Sequence, residues 1–583
     1  MLRHRGDEFG ERTAKNTIVA LTQVHIAFVT CEISDPLPEL DDFNAVLVCT
    51  ERLDQAIEGL ANSLESFVTA GGGLVVLHRG LSDNFCGLFG IVSQDRSAAL
   101  VSSFQAGGLV FPSRVLPSFQ GLILDPSVID GHASFDVVPS AHACVVATTS
   151  TGKPLAWRTQ FGNGFVLFWN TTICSERRMR GLIIESLESV VRISVVPVAN
   201  AGVVQVDDFP APLPAPSADL GGSAKVDEFY SHIWWPDVYR LAKGYDIALT
   251  CFVAFDYSNV VEEAAMPQPQ PGLVKIDPAI TAAIGRLPPA EIGLHGYNHL
   301  PFTVENWPNQ AAMERSIERA KVEWDAAGLG ALPASYVPPM NMYDRTGVAA
   351  LVAGLPGIKS ISSVLNSARE VATQQDFGPE PWNNALFCLP RATCGHESSP
   401  QLFFDCANQV AALGVWTHFM HPDDLTDVPG PGRTQEAARN PNGRPWRRRH
   451  GKPGLYDQLA RMFAQVKSQF PWLVFRSTSD AADILKQFFE SEWKVNITVD
   501  QVVVNGPVGS FFRLRTNGSP RVHIASCEGA SIVHNEMADD YCLYVIEIQA
   551  NRVDILLQTE TPPQGIFERL LTLLRPDKLV STA

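Results

Sequence analysis

Paired cysteines, long apolar runs and a surplus of positive charge are all missing from this sequence. Its 11 cysteines are odd in number, dispersed and without a C-x-x-C pair. That excludes a disulfide framework and reads as buried thiols in a reducing compartment. No apolar run reaches the ~18 residues that a membrane helix needs, so no membrane span is expected. The opening MLRHRGDEFGERTAKN lacks the apolar core of a signal peptide. As it stands the chain reads as cytoplasmic; a truncated start would leave an extracytoplasmic or secreted protein open. Acids outnumber bases, 62 Asp and Glu against 45 Lys and Arg, for a net charge of −17. Phosphate would be repelled, which argues against a nucleic-acid partner. Charged residues make up only 18% and hydrophobic ones 45%, which excludes general disorder and permits real cores.

The 583 residues imply about three domains at a usual ~100–200 residues each. Residues 1–195 alternate short apolar runs with helical patterns. His25–Thr30, Ala45–Cys49, Leu74–Leu77 and Phe165–Trp169 read as strands. Leu53, Ile57, Leu60 and Leu64 share one helical face that stops at Gly71-Gly72-Gly73, and a further helix is expected near Met179–Val191. The fold class is α/β, here a doubly wound domain with crossover helices. The first recognisable element is the helix-like ERTAKNTIVALTQVHI, although such domains normally begin with a strand. Residues 196–490 mix strands such as Ile247–Val253 with helices such as the Met313, Ile317, Ala320, Trp324 face. Pro-rich inserts fall at Pro210–Pro216 and Pro267–Pro271. This pattern suits a (β/α) barrel, whose chemistry sits at the C-terminal strand ends. Residues 491–583 alternate short strands with turns such as Asn517-Gly518, predicting a small antiparallel β domain.

Three segments of the middle region carry chemistry-bearing residues. VVQVDDFP ends an apolar run on Asp207 and Asp208; neighbouring strand side chains point opposite ways, so the two acids can serve different partners. The alternative is an ordinary Asp-rich turn. EIGLHGYNHL holds His295 and His299, four apart, which on a helical turn would present two imidazoles to one metal ion; otherwise they are loop histidines. VWTHFMHPDD follows an apolar run with His418 and His421, either a proton donor near neutrality or structural caps.

Taken together, their order and strand-end placement resemble the NodB-homology polysaccharide deacetylases of carbohydrate esterase family 4, over residues 200–490. The resemblance implies a distorted (β/α) barrel of NodB type. It implies a divalent metal, zinc expected, on Asp208, His295 and His299, with Asp207 as general base and His421, or else His418, as general acid. The substrate would be a carbohydrate polymer losing N-acetyl groups. The family's Arg before a proline pair is absent from SYVPPMNMY, which keeps Pro338-Pro339; Arg391 in LPRATCG is the candidate for that charge, orienting Asp207, or else it forms a surface ion pair. Pro339, Asn341 and Trp235 are the candidate substrate-side residues. Trp234-Trp235 and Trp446 either stack on sugar rings or lie in the core. Arg444–His450 is a basic cluster, a solvated loop or a site for an anionic polymer.

The whole layout also resembles microbial exopolysaccharide deacetylases in which an amidotransferase-like domain precedes a divergent deacetylase domain. Leu74–Leu77 is followed by His78-Arg79-Gly80, not by the cysteine elbow of that chemistry, and Cys86 lies too far on. The first domain is therefore expected to be non-catalytic. Two other readings stay open: a metal-dependent amidase acting on a small or cyclic amide through the same site, and a carbohydrate-binding pseudoenzyme.

Overall fold

The computed structural model describes residues 1–92, 101–209, 229–257, 259–261, 284–366, 372–435 and 437–560. Both Pro-rich inserts lie outside the described residues. The protein is a mixed α/β structure built on two nine-stranded sheets and a pair of four-stranded ones.

The first sheet runs Cys31–Glu32, Leu2–Arg3, Ala45–Val48, Gly73–Val76, Gly164–Trp169, Pro154–Phe161, Cys144–Thr148, Leu109–Val110, Ile123–Leu124. Its first five strands are parallel and the remainder antiparallel. The pleat sends alternate residues to opposite faces. Val46, Val48, Leu74 and Val76 pack with Leu60, Leu64 and Phe67 of the helix Leu60–Ala70. Leu47, Val75 and Leu77 pack with Ala14 and Leu21 of the helix Glu8–Gln23 and with Leu182 and Ile183 of the helix Arg180–Val190. Helices thus cover both faces of the parallel half, as expected, but the sheet is mixed.

Three local readings are corrected. The chain begins with a strand, Leu2–Arg3, ahead of the first helix. His25–Thr30 is not a strand; His25 takes a left-handed φ of 57° after the helix, and pairing begins at Cys31. Leu53 belongs to a separate 3₁₀ turn, because Gly59 (φ 83°) starts a new helix at Leu60.

The central sheet runs Gly378–Glu380, Asn383–Cys388, Ser360–Ile361, Ser335–Tyr336, Glu291–Leu294, Leu249–Val253, Ala201–Phe209, Val415–Met420, Thr393–Cys394. Every pairing is parallel except that of Gly378–Glu380 with Asn383–Cys388. One chain segment touches both sides of this sheet: Asn383–Cys388 pairs with Ser360–Ile361, and a few residues later Thr393–Cys394 pairs with Val415–Met420. The sheet therefore curls, and the C-terminal ends of its parallel strands converge.

The two four-stranded sheets are antiparallel. One orders Lys494–Ile497, Gln501–Asn505, Val553–Thr559 and Val522–Glu528. The other orders Ile193–Val198, Phe511–Asn517, Tyr541–Ile548 and Ala530–Met537. They share one core of Val195, Val502, Val504, Phe512, Leu514, Ile546 and Ile555. The boundary expected at 195/196 falls inside Ile193–Val198, whose partner strand arrives some three hundred residues later. The units also meet closely elsewhere. A Cβ at Gly181 would lie 2.3 Å from the Asn408 carbonyl, so only glycine lets the helices Arg180–Val190 and Pro400–Leu413 approach this near. All eleven cysteines are free thiols.

Candidate functional site

The strand Ala201–Phe209 is buried along all nine residues and lies between two parallel partners, so it delivers its C-terminal acids to the centre of the curled sheet. Gln205 and Asp207, two apart, share a face. Between Val206 and Phe209 the register with the neighbouring strand shifts, and Asp208 adopts φ 51°. Such a bulge re-aims a side chain, and aspartate tolerates the left-handed region better than most residues.

Asp208 Oδ1 lies 3.3 Å from His295 Nε2 and 3.0 Å from His299 Nε2. One ligand atom from each of the three side chains falls within 4.8 Å of the others. His295 directly follows the strand Glu291–Leu294; its backbone N–H donates to the Val253 carbonyl at 2.7 Å, and its Nδ1 lies 2.8 Å from the Val337 carbonyl. A carbonyl can only accept, so Nδ1 carries a proton and Nε2 is the ring atom turned toward Asp208. An imidazole nitrogen and a carboxylate oxygen at this range are bridged by a proton or by a cation. The donor set of two imidazoles and a carboxylate therefore fits a divalent metal of the zinc type. Burial alone would raise the Asp208 carboxyl; the two imidazoles outweigh it and hold it well below the usual range.

The four-residue spacing of the histidines is not a helical turn. The backbone bends through Gly296 (φ 81°) and His299 (φ 51°). A Cβ on Gly296 would sit 3.3 Å from Pro339, so this loop packs onto the proline-pair segment. His299 Nδ1 is 3.3 Å from Asn259 Oδ1.

Asp207 is 1% exposed. Its Oδ2 accepts from Arg391 Nη1, and the other arm of that guanidinium, Nη2, donates to Asn341 Oδ1. Gln205 Oε1 lies 3.4 Å from Nη1, and the Phe419 ring sits 3.8 Å beneath the guanidinium carbon. Arg391 is thus buried beside Asp207 and is no surface ion pair. Asp207 Oδ1 is buried and meets no hydrogen-bond donor among the described residues.

The two histidines of the last segment part company. His418 is fully buried, with Nδ1 2.9 Å from Thr393 Oγ1, Nε2 2.9 Å from the Gly395 carbonyl, and its ring stacked on Trp416. Burial pushes it down to about 3. His421 leaves the strand end and places Nε2 3.9 Å from Asp207 Oδ2. Its Nδ1 lies 3.1 Å from Asp424 Oδ1. Burial would lower this imidazole, but the Asp424 carboxylate outweighs burial and raises it to about 9. Asp424 is itself held by His396 Nδ1 at 3.2 Å and Arg439 Nε at 3.0 Å.

Asn341, Asp424, His396 and Arg439 thus complete the cluster. Sequence reasoning had Asn341 on the substrate side, whereas its amide oxygen receives Arg391. It assigned the other three no role. The spacing of Asp424 three residues after His421, with Pro422 opening a short 3₁₀ helix, is a capping signal that could have found Asp424. Trp235 is not available to a sugar: it is 2% exposed and packs on Phe209, with ring centroids 5.2 Å apart. Trp234 and Trp446 are buried as well, and Trp446 donates to Asp237 at 3.0 Å. In the basic cluster, Arg444 pairs with Glu397 and Arg447 with Asp237, both at 2.8 Å. Cys86 Sγ lies 3.4 Å from the Ser82 carbonyl, and burial raises its thiol.

Among solved structures, one similar to the chain is a Mycobacterium smegmatis protein assigned as a polysaccharide deacetylase. It shows 16% identity and a TM-score of 0.32, covering 50% of this chain and 91% of that one. A family 4 carbohydrate esterase from Streptomyces lividans in complex with acetate shows 14% identity and a TM-score of 0.23, covering 48% and 92%. A mutant of a CE4-family pseudoenzyme with restored enzymatic activity shows 10% identity and a TM-score of 0.26, covering 49% and 68%. No curated protein matches. The match that spans most of the chain is to a family of proteins conserved in bacteria, described as uncharacterised (DUF2194), and over residues 84–537 this chain belongs to it.

Proposed function

We propose that the protein is a metal-dependent hydrolase that removes N-acetyl groups from an amino-sugar-containing polysaccharide. The observation that carries this reading is the convergence of Asp208, His295 and His299 on one point, with a second carboxylate, Asp207, left free of that cluster and anchored by Arg391. On this reading the curled central sheet is a distorted (β/α) barrel of NodB type within residues 196–490, between a non-catalytic α/β unit and a C-terminal β unit.

Asp208, His295 and His299 would hold the ion. A bound divalent ion supplies a Lewis acid that polarises the acetyl carbonyl and lowers the pKa of water. Asp207 accepts the proton of the attacking water, and its unpartnered Oδ1 is the atom free to receive it. Arg391, clamped between Asp207 and Asn341, keeps that carboxylate oriented. His421, charged at neutral pH through Asp424, donates its Nε2 proton to the leaving amine, so that acetate and a free amino sugar result. The acid and the base lie 3.9 Å apart, near enough to serve the two ends of one scissile amide.

The test pairs metal analysis of the purified protein with acetate release from a panel of N-acetylated glycans, run on the native chain and on Asp207→Asn. One equivalent of metal with acetate release that collapses in the variant is expected. Stoichiometric metal without acetate from any glycan would shift the reading to a small amide, and absence of metal binding would sink it.

A further inference from the structure

A cavity of about 420 Å³ lies away from the Asp208 cluster, where the three regions of the chain meet. Its wall draws on the segment Arg114–Gln120, the helix Arg180–Val190, the end of the helix Leu455–Gln469, and the strands Phe511–Asn517, Ala530–Met537 and Tyr541–Ile548. The volume falls in the range of small-molecule sites, roughly 300–1,000 Å³.

Its charged lining is unevenly satisfied. Arg513 spends its fork on Glu188, at 3.2 and 3.0 Å, and on the carbonyls of Val410 and Ala411. Arg515, 1% exposed, meets only neutral partners at contact: Asn517 Oδ1 at 2.9 Å, the Val115 carbonyl at 3.0 Å and the face of Tyr541. Its Nη2 has no hydrogen-bond partner among the described residues, and neither has Oε2 of Glu185, 3% exposed. A buried guanidinium with an idle donor and a buried carboxyl with an idle acceptor are each costly. Both residues line the cavity and act on each other through space, but no ion pair at contact joins them. The half-buried Trp472 supplies an aromatic wall beside these polar groups, a combination suited to the apolar face of a sugar ring.

We propose that this cavity binds a sugar acid, with its carboxylate on Arg515, a ring hydroxyl on Glu185 and the ring against Trp472. The anionic group is chosen because Arg515 has no carboxylate at hydrogen-bond distance, Glu188 and Glu185 acting on it only through space. Burial pushes the Glu185 carboxyl up to about 7, so it contributes less than a full negative charge at neutral pH and hydrogen-bonds a hydroxyl readily. The site shares no residue with the Asp208 cluster, so it stands or falls apart from the deacetylase reading. A ligand here would tie the three regions together, and its binding should read out as thermal stabilisation.

The experiment measures Tm and calorimetric binding of the full chain with D-glucuronate and with D-glucose, in the native protein and in Arg515→Lys, Glu185→Gln and Trp472→Ala. We expect a saturable rise in Tm with glucuronate and none with glucose at equal concentration. Losing the bond from the Arg515 fork should weaken glucuronate roughly tenfold or more in Arg515→Lys; Glu185→Gln keeps an acceptor for the hydroxyl and should weaken it by less. Trp472→Ala, at the half-buried wall, tests the site without removing a buried charge and should also weaken binding. No saturable response to glucuronate, an equal response to glucose, or glucuronate affinity unchanged in all three variants would each overturn the proposal.

Discussion

Asp207 and Asp208 are consecutive in the chain yet belong to different clusters: the first is anchored by Arg391, and the second lies between His295 and His299. The bulge and the φ of 51° at Asp208 make this possible. The division predicts opposite phenotypes. Asp208→Asn should abolish stoichiometric metal binding and activity together. Asp207→Asn should keep the metal and lower turnover by ~10²–10⁴, the usual contribution of a general acid or base. Metal analysis beside turnover decides, and equal metal retention in the two variants would refute the division.

Arg391 is a positioning residue in this scheme, and its removal should cost stability as well as turnover. Breaking a buried ion pair from one side typically costs about 3–5 kcal/mol because a charge is left alone, and Asp207 is 1% exposed. Arg391→Met should therefore lower Tm sharply. Arg391→Lys keeps the charge but cannot reach Asp207 and Asn341 at once, so it should retain most of the stability and lose turnover. A lysine variant as active as the native chain would mean that the fork geometry does not matter.

The pH profile reports on His421. Its imidazole is raised to about 9 by Asp424, and in the proposed mechanism the protonated ring is the working form. Activity should hold through neutral pH and fall as pH rises through about 9. In Asp424→Asn the raising charge is gone, so the alkaline fall should move toward the ordinary histidine value near 6.5. The sign is fixed: loss of a carboxylate can only move this limb to lower pH. A limb that stays near 9 in the variant would assign it to another group.

How much of this was legible beforehand differs by residue. Asp207-Asp208, His295 and His421 stand out because each comes at the end of an apolar run, and the C-terminal end of a strand presents whatever comes next; His299 stands out only by its spacing from His295. What each meets could not be read so easily. Asn341 reaches Arg391 across fifty positions, and His396 reaches Asp424 across twenty-eight, through contacts that only the curled sheet creates. Periodicity also misled locally. Leu53 and Ile57 keep helical spacing with Leu60, but Gly59 breaks the helix between them. The four-residue spacing of His295 and His299 likewise mimics a helix turn where the backbone is a glycine-bent loop. The boundary expected at 195/196 cuts the strand Ile193–Val198, whose partner, Phe511–Asn517, is too distant in sequence for the pairing to be read.

His418 should behave as a core residue. Both ring nitrogens are engaged and the ring is fully buried. His418→Ala leaves the Gly395 carbonyl without this partner, and a buried group so stranded costs about 1–3 kcal/mol, while Thr393 Oγ1 keeps Trp416 Nε1 at 3.0 Å and the Thr417 carbonyl at 3.2 Å. Metal content should be unchanged and Tm lowered, with turnover per folded molecule close to native. A loss of turnover exceeding that of His421→Ala, at full metal occupancy, would exchange the roles of the two histidines.

The last prediction concerns the joint between the regions. Glu188 of the helix Arg180–Val190 and Arg513 of the C-terminal sheet form a two-pronged ion pair, 2% and 5% exposed at the side chain. Arg513 also donates to the carbonyls of Val410 and Ala411, so one side chain ties the C-terminal sheet to both of the other regions. Arg513→Met leaves the buried Glu188 carboxyl without its partner and should cost about 3–5 kcal/mol. The double variant Arg513→Met with Glu188→Met removes the stranded carboxyl as well. It should recover a large share of that loss, because apolar side chains of similar volume often replace a buried pair with little penalty. Urea unfolding of the single and double variants measures both quantities. A double variant no more stable than Arg513→Met would show that the bonds to Val410 and Ala411, rather than the charge pair, hold the joint.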